Sequence, residues 1–137
     1  MITAISVKKK FIKMEITMKI AISAQSDKID SLIDPRFGRA KYFIVADTES
    51  GEFSVHDNAV NLNAAQGAGI QAAKNVADIG VGAVVTGNVG PKAFATLTAA
   101  GVVVYTGFSG TVRDALRALN SGALTVTERP NVEGHWI

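Results

Sequence analysis

Residues 83–91 read AVVTGNVGP, and residues 102–111 read VVVYTGFSGT. Each stretch begins with a run rich in β-branched residues, which is typical of a strand that is buried on both faces and paired with parallel neighbours. Each then passes through a glycine turn into a helix-forming segment, from Pro91 to Ala100 and from Thr111 to Asn120. This repeated strand, turn and helix predicts an α/β fold.

Three further strands are predicted ahead of this pair. They cover Met18 to Ser23, Tyr42 to Ala46 and Phe53 to His56. Residues 47–52, between the second and third strands, are rich in Asp, Ser and Gly and indicate a hairpin connection. We therefore expect the three strands to form an antiparallel meander, with the long polar loop from Ala24 to Ala40 between the first two.

A helix with a small apolar face is predicted between the third and fourth strands. Small and apolar residues recur there at helical spacing until Gly80, which is suited to ending a helix. The face consists of Ala65, Ala68, Gly69, Ala72, Ala73, Val76 and Ala77. The predicted order is β-β-β-α-β-α-β-α, which indicates a ribonuclease H-like, three-layer α/β/α fold with a mixed five-stranded sheet.

The composition is that of one globular domain. The chain has 137 residues, of which 47% are hydrophobic and 19% charged, so it can bury a core and is too short for two large domains. It has no cysteine, and therefore cannot build a disulfide or a thiolate site from its own side chains. No apolar run approaches the roughly 18 to 20 residues of a membrane span, so we expect a cytoplasmic protein without a membrane partner.

The excess positive charge lies entirely in residues 1–17. The formal net charge is +2, but the first 17 residues carry +3, which leaves −1 for residues 18–137. A nucleic-acid groove needs clustered Lys and Arg, so nucleic acid is not an expected partner. We expect residues 1–17 to be a basic extension and Met18 the true start; the alternative is a short arm that touches a membrane or a polyanion. The domain is predicted to cover residues 18–124, with an irregular tail at 125–137.

The two glycine turns are the first candidate site. Each follows a buried strand and opens a helix, so unpaired amides and the positive helix end should point beyond the carboxyl ends of the strands. Two such turns side by side would form a crevice for an anion. The turn residues are Gly87, Asn88, Val89 and Gly90 in the first turn, and Ser109, Gly110 and Thr111 in the second. The alternative is that the glycines only permit tight turns.

A second candidate site is the loop that enters the second strand. It carries Arg36, Phe37, Gly38 and Arg39 directly after Asp34 and a proline. Two guanidinium groups could clamp a carboxylate or a highly charged ligand. The alternative is a structural loop in which Asp34 pairs with an arginine and Phe37 fills the core.

Histidine is scarce, and only His56 lies near a predicted strand end within the domain. It is a candidate metal ligand, although no second histidine stands at the i, i+4 spacing of a metal motif. A lone histidine is otherwise structural or exposed.

The sequence disfavours two kinds of hydrolase. Nuclease chemistry on a ribonuclease H-like fold needs carboxylates on core strands, and Met18 to Ser23 and Ala83 to Gly87 have none. No Gly-x-Ser-x-Gly elbow is present either. Phosphoryl transfer also has little support, because the sequence shows no acid–base pair.

Residues 18–124 resemble the dinitrogenase iron-molybdenum cofactor biosynthesis family, which includes NifX-like and NifB carboxy-terminal-like small proteins. The matching pieces are MKIAIS (18–23), FGRAKYF (37–43), GAGIQAA (67–73), TGNVGPKAF (86–94) and SGTVRDAL (109–116). The resemblance implies a ribonuclease H-like fold. It also implies a carrier role without catalytic residues, in which the protein binds iron-molybdenum cofactor or its iron–sulfur precursor and meets nitrogenase assembly proteins.

The resemblance combines with the candidate sites to predict where a cluster would bind. An anionic cluster would be held by the amides of both glycine turns, by Arg36 or Arg39, and by His56. Many family members place a histidine just before the first helix, whereas residues 61–67 read NLNAAQG here. The alternative function is a metal-free module that binds a small anion, a nucleotide or a partner protein. A monomer and a homodimer are both compatible with the sequence.

Overall fold

The computed structural model describes residues 18–59 and 67–130. The leader, residue 65 of the predicted helix face and residues 131–137 of the predicted tail lie outside these residues. The described strands are β1 (Lys19–Ala24), β2 (Tyr42–Asp47), β3 (Phe53–Asp57), β4 (Ala83–Val85) and β5 (Val103–Tyr105). The described helices are α1 (Ala68–Ile79), α2 (Pro91–Ala99) and α3 (Val112–Asn120). The predicted order of elements is confirmed.

The five strands form one mixed sheet in the order β3-β2-β1-β4-β5. β1 pairs with β2 and β2 with β3 in antiparallel register, so the predicted meander is confirmed. β1 pairs with β4 and β4 with β5 in parallel register, as their β-branched runs predict. The carboxyl ends of β1, β4 and β5 therefore meet at one edge of the sheet.

Helices cover both faces of the sheet, because side chains of each strand alternate between two cores. On one face, Ala21 and Val84 pack against residues of α1 and α2 such as Val76 and Leu97. On the other face, Ile22 and Val85 belong to a second core that includes residues of α3. Alanines dominate the buried side of α1, which lets this helix lie close to the sheet.

Glycines follow all three described helices, and the predicted end of α1 at Gly80 is confirmed. Gly80, Gly101 and Gly122 follow α1, α2 and α3, and all three have positive φ, which costs glycine little. No helix in residues 18–59 and 67–130 is long and apolar enough to cross a membrane.

The segment after α3 covers the outer edge of β5. Thr127 donates its amide hydrogen to the Val104 carbonyl at 2.8 Å, and its hydroxyl accepts the Thr106 amide hydrogen at 2.9 Å. Residues 123–130 form no helix or strand of their own. The edge of β5 is thus paired with chain that has no regular structure.

Candidate functional site

The loop from Gln25 to Lys41 joins both glycine turns at the carboxyl edge of the sheet. The turns contact each other, because the Gly107 amide donates to the Gly87 carbonyl at 2.8 Å. The loop reaches the first turn through a parallel bridge between Arg36 and Asn88, and the second through an antiparallel bridge between Leu32 and Thr111. The structure therefore brings the arginine loop and both turns together.

The first glycine turn packs tightly beneath the loop. The Asn88 amide donates to the Pro35 carbonyl at 2.7 Å, and the Asn88 carbonyl accepts the Phe37 amide hydrogen at 3.1 Å. A Cβ atom on Gly87 would lie 2.8 Å from Pro35, so only glycine permits this approach. Gly87, Val89 and Gly90 are buried, and Asn88 is partly exposed. Close packing of backbone on backbone thus accounts for Gly87.

The second glycine turn lies at the start of α3, where the amides already have partners within the protein. The Thr111 amide donates to Asp114 Oδ2 at 3.1 Å, and the Asp114 amide donates to Thr111 Oγ1 at 3.0 Å, which is a capping box. The next two amides, of Val112 and Arg113, donate to carbonyls of the loop at 2.9 Å. The expectation of unpaired amides at this helix start is therefore wrong. The loop folds over the helix end and satisfies those amides itself.

Charges around the start of α3 are also paired. The Thr111 amide and hydroxyl lower the pKa of Asp114, because hydrogen bonds favour its ionised form. Arg113 Nε lies 2.7 Å from Asp30 Oδ1, and this hydrogen bond lowers the pKa of Asp30. Ser109 is exposed beside this cap, and Gly110 is partly exposed with a φ of 133°.

The arginine loop is anchored between its two cationic side chains. Phe37 is only 1% exposed, and its ring centroid lies 5.0 Å from that of Phe43, so Phe37 fills the core as the structural alternative predicts. Gly38 backs onto α1, where a Cβ atom would lie 2.7 Å from Gly69 Cα. Because Phe37 and Gly38 are held in this way, Arg36 and Arg39 lie on either side of a fixed point.

Buried polar groups hold the two ends of the same loop. Asp34 is buried, and its Oδ1 accepts the Arg36 amide hydrogen at 3.0 Å. Asn58, which follows β3 and is 3% exposed, donates from Nδ2 to the Ala40 carbonyl at 2.8 Å and to the Gly38 carbonyl at 3.3 Å. The loop is therefore fixed by hydrogen bonds at both ends.

An open cavity of about 360 Å³ lies beside the loop. Its lining consists of Gln25, Asp34, Pro35, Arg36, Arg39 and Lys41. Three of these residues are cationic and one is a carboxylate, so the formal charge of the lining is positive. A site of this composition attracts a small anion.

His56 does not line this cavity. It is partly buried on β3, where its Nε2 lies 2.9 Å from Ser54 Oγ. Within residues 18–59 and 67–130, no group of three His, Cys, Asp or Glu side chains could hold a metal ion. In the part of the chain that the structure describes, His56 therefore has no such set of co-ligands.

Four residues important to this edge had no clear signal in the sequence. Lys41 and Gln25 line the cavity but stand at the ends of a long polar loop, where charged and amide side chains are ordinary. Ser23 and Thr86 are buried hydroxyls at strand ends and look like any strand residue. A lysine two residues after Arg39 was the only usable hint.

The described residues thus form a small α/β domain with a cationic cavity at the carboxyl edge of its sheet. The model of the dinitrogenase iron-molybdenum cofactor family matches residues 18–122, and the chain belongs to this family. The sequence resemblance to that family is thereby confirmed.

Known structures and sequences extend the comparison. The apo form of the orange protein from Desulfovibrio gigas is similar, with 39% identity, a TM-score of 0.83 and coverage of 85% of this chain and 98% of that chain. A candidate NifB protein from Thermotoga is similar with 37% identity, a TM-score of 0.71 and coverage of 84% and 99%. An uncharacterized protein of Methanocaldococcus jannaschii is 28% identical over 117 residues, which is 84% of this chain and 95% of that protein.

Proposed function

We propose that this protein is a non-catalytic carrier for an anionic metal cluster of the iron-molybdenum cofactor class or its iron–sulfur precursor. The cluster is cargo, taken up from and delivered to nitrogenase assembly proteins or related proteins of metal-cluster assembly. The binding site is the cavity beside the arginine loop. The observation that carries the proposal is the convergence of Arg36, Arg39 and Lys41 on one cavity.

The donors at this site suit an anion that keeps its own inner ligands. The chain has no cysteine, and the described residues contain no group of three metal-ligating side chains. Guanidinium and ammonium groups donate hydrogen bonds and do not coordinate metals, so they would contact sulfide or carboxylate atoms on the outside of a cluster. Such an ionic hold allows release to a partner that offers coordinating side chains.

The size of the cavity fits this role. The cavity has a volume of about 360 Å³ and is open to solvent. The cavity can therefore seat a small polynuclear anion, and its open side lets a larger cluster bind with one face inside. One of the similar structures is described as an apo form, and this description supports a protein that takes up and releases a bound group.

The amides of the glycine turns have a smaller part in this proposal than the sequence suggests. At the start of α3, residues Thr111 to Asp114 already use their amides within the protein. The two turns do not line the cavity; they contact the loop beside it through the bridges of Asn88 and Thr111, and the cationic side chains supply the attraction. His56 does not line the cavity and has no role in this proposal.

Anaerobic reconstitution tests the proposal. The purified chain is mixed with isolated iron-molybdenum cofactor, desalted, and analysed for iron and molybdenum and for visible absorbance. We expect retention near one cluster per chain. Arg36→Gln combined with Arg39→Gln should weaken retention about tenfold or more, because two charge-assisted contacts are lost, and added salt should weaken it further.

A matched control is Arg117→Gln combined with Arg129→Gln. Both arginines are exposed and lie outside the cavity lining, and this pair changes the net charge by the same amount. Retention should stay at the wild-type level. Retention of no metal by the wild-type chain would overturn the carrier role, and equal retention by both double variants would overturn the site.

A metal-free oxoanion is the second candidate ligand, because the same three cations fit phosphate groups. Titration with inorganic phosphate and with a nucleoside diphosphate under the same conditions separates the two. Binding of the nucleotide with no retention of metal would favour the metal-free module.

A further inference from the structure

Two buried hydroxyl groups lie directly beneath the arginine loop. Ser23 is in β1 and Thr86 follows β4, and both are 0% exposed. Their oxygens are 2.7 Å apart, so they form a hydrogen bond across the two central parallel strands. Neither residue lines the cavity.

The directions of the hydrogen bonds follow from counting hydrogens. Ser23 Oγ donates its one hydrogen to the Asp34 carbonyl at 2.6 Å. Thr86 must then be the donor in the bond between the two hydroxyls. The Asp34 amide in turn donates to the Ser23 carbonyl at 2.8 Å. Ser23 thus binds both the amide and the carbonyl of Asp34, and the Thr86 hydroxyl supports the bond to the carbonyl by donating to Ser23 Oγ.

Asp34 is the point where the arginine loop begins. Its carboxylate fixes the Arg36 amide, and the next carbonyl, of Pro35, accepts the Asn88 amide hydrogen. Movement of the Asp34 backbone would therefore displace the backbone of Arg36, a residue that lines the cavity. Asn58 anchors the other end of the loop near Arg39 through different bonds.

We propose that Ser23 and Thr86 are positioning residues that hold the arginine loop in its ligand-binding conformation before the ligand arrives. The inference rests on the proposed function for its effect on affinity. Preorganised cationic side chains bind a ligand more tightly, because they lose little conformational entropy on binding. Loss of the Thr86 hydroxyl leaves Ser23 without its donor and loosens the Asp34 peptide.

The first experiment needs no ligand. Hydrogen exchange is followed at the Phe37 and Asn88 amides, whose hydrogen bonds both join the loop to the first turn. The wild-type chain is compared with Thr86→Val and Thr86→Ser. Valine keeps the shape of threonine without the hydroxyl, and serine keeps the hydroxyl. We expect exchange at both amides to be about tenfold faster in Thr86→Val and close to wild type in Thr86→Ser.

The amide of Val76, in the centre of α1, is the internal control because it belongs to the core and not to the loop. Its exchange should be unchanged. Equal acceleration at Val76 and in the loop would show a general loss of stability and overturn the inference, as would unchanged exchange in the loop.

The second experiment measures retention of isolated iron-molybdenum cofactor by the same variants. Thr86→Val and Ser23→Ala should weaken retention about three- to thirtyfold, and Thr86→Ser should restore it. Wild-type retention in Thr86→Val, with loss in the double arginine variant, would overturn the positioning role and leave the proposed function intact. If the wild-type chain retains no metal, the proposed function fails, and the exchange measurement alone decides whether the hydroxyl pair positions the loop.

Discussion

Gly87 shows at the scale of one residue why the carboxyl edge is so compact. Its missing side chain lets Pro35 approach to a distance at which any Cβ atom would lie only 2.8 Å from backbone. The glycine was predictable as a turn residue, but its partner was not. Pro35 is 52 positions earlier in the chain, and no local pattern records such a contact.

Replacement of Gly87 by alanine should be costly. The new methyl group meets the Pro35 backbone, which cannot move aside cheaply, so we expect a loss of about 1 to 3 kcal/mol in the free energy of unfolding. Denaturant unfolding measures it. Gly82→Ala is the matched control, because its Cβ would meet the flexible Met18 side chain at 3.0 Å, and we expect less than about 1 kcal/mol. Equal losses at the two positions would contradict this explanation.

Asp47 predicts a pH dependence at the turn between β2 and β3. Its carboxylate accepts amide hydrogens from Ser50 and Glu49, and these bonds lower its pKa below the ordinary value of 3.8. The folded state therefore holds the proton less tightly than the unfolded state. The stabilisation is fully present above the unfolded pKa and is lost as the pH falls through the folded pKa.

Unfolding measured between pH 6 and pH 2.5 should show this loss, and Asp47→Asn should flatten part of the slope below about pH 4. Asn75→Ala, at an exposed and uncharged position of α1, serves as the control and should leave the slope unchanged. If the free energy of unfolding of Asp47→Asn falls with pH as steeply as that of the wild type, the ionisation of Asp47 does not contribute to the pH dependence.

At the scale of elements, α3 illustrates what periodicity can and cannot predict. Its position follows from local sequence signals, and the structure confirms it, with a cap at Thr111 and a glycine after its last turn. The partners of its first amides do not follow from such signals, because the Val112 and Arg113 amides donate to the carbonyls of Ser31 and Ile29, about 80 residues earlier. Helix ends are predictable from sequence, whereas their availability to a ligand depends on which loop packs against them.

Thr111→Ala should remove the cap of α3. The hydroxyl that accepts the Asp114 amide hydrogen is lost, and we expect about 1 kcal/mol less free energy of unfolding. Thr98→Ala in α2 is a matched threonine control, because the Thr98 hydroxyl only bonds back to the Phe94 and Ala95 carbonyls of its own helix, an arrangement that adds little to a helix. A larger effect at Thr98 than at Thr111 would be incompatible with the capping geometry.

At the scale of the whole molecule, the two outer strands of the sheet are treated differently. β5 is covered along its edge by the segment around Thr127, while β3 carries exposed Phe53 and Val55 at 45% and 38%. The sequence predicts an irregular segment after α3, and the hydrogen bonds of Thr127 attach that segment to the edge of β5. Edge strands without cover are prone to pair with other chains.

Deletion of residues 125–137 should open the β5 edge. The Val104 carbonyl loses the Thr127 amide and the Thr106 amide loses the Thr127 hydroxyl, so we expect about 1 to 3 kcal/mol less stability and concentration-dependent association beyond that of the full chain. Light scattering after gel filtration measures the association. Thr127→Val keeps the covering backbone and should not associate; identical behaviour of the deleted and full chains would contradict the role of this segment.

Most of the fold can therefore be predicted from local sequence patterns, whereas most of the site cannot. Strands, helices, turns and their order follow from apolar periods and glycines, which act within a dozen residues. Arg36 and Arg39 were also visible as a pair. Lys41 and Gln25 join them only because β1 and β2 are antiparallel neighbours, which brings the two ends of the loop together.

The place where the chain enters β1 has a practical consequence. Met18 exchanges hydrogen bonds with Thr48 at the hairpin end of the sheet, and β1 then runs six residues, or about 20 Å, before the chain reaches Gln25 at the cavity. An attachment made at Met18 is therefore at the opposite end of β1 from the cationic cavity. A sensor surface that captures the protein there would leave the cavity facing solution, so the proposed uptake of a cluster and its transfer to a second protein could be recorded on the same immobilised molecule.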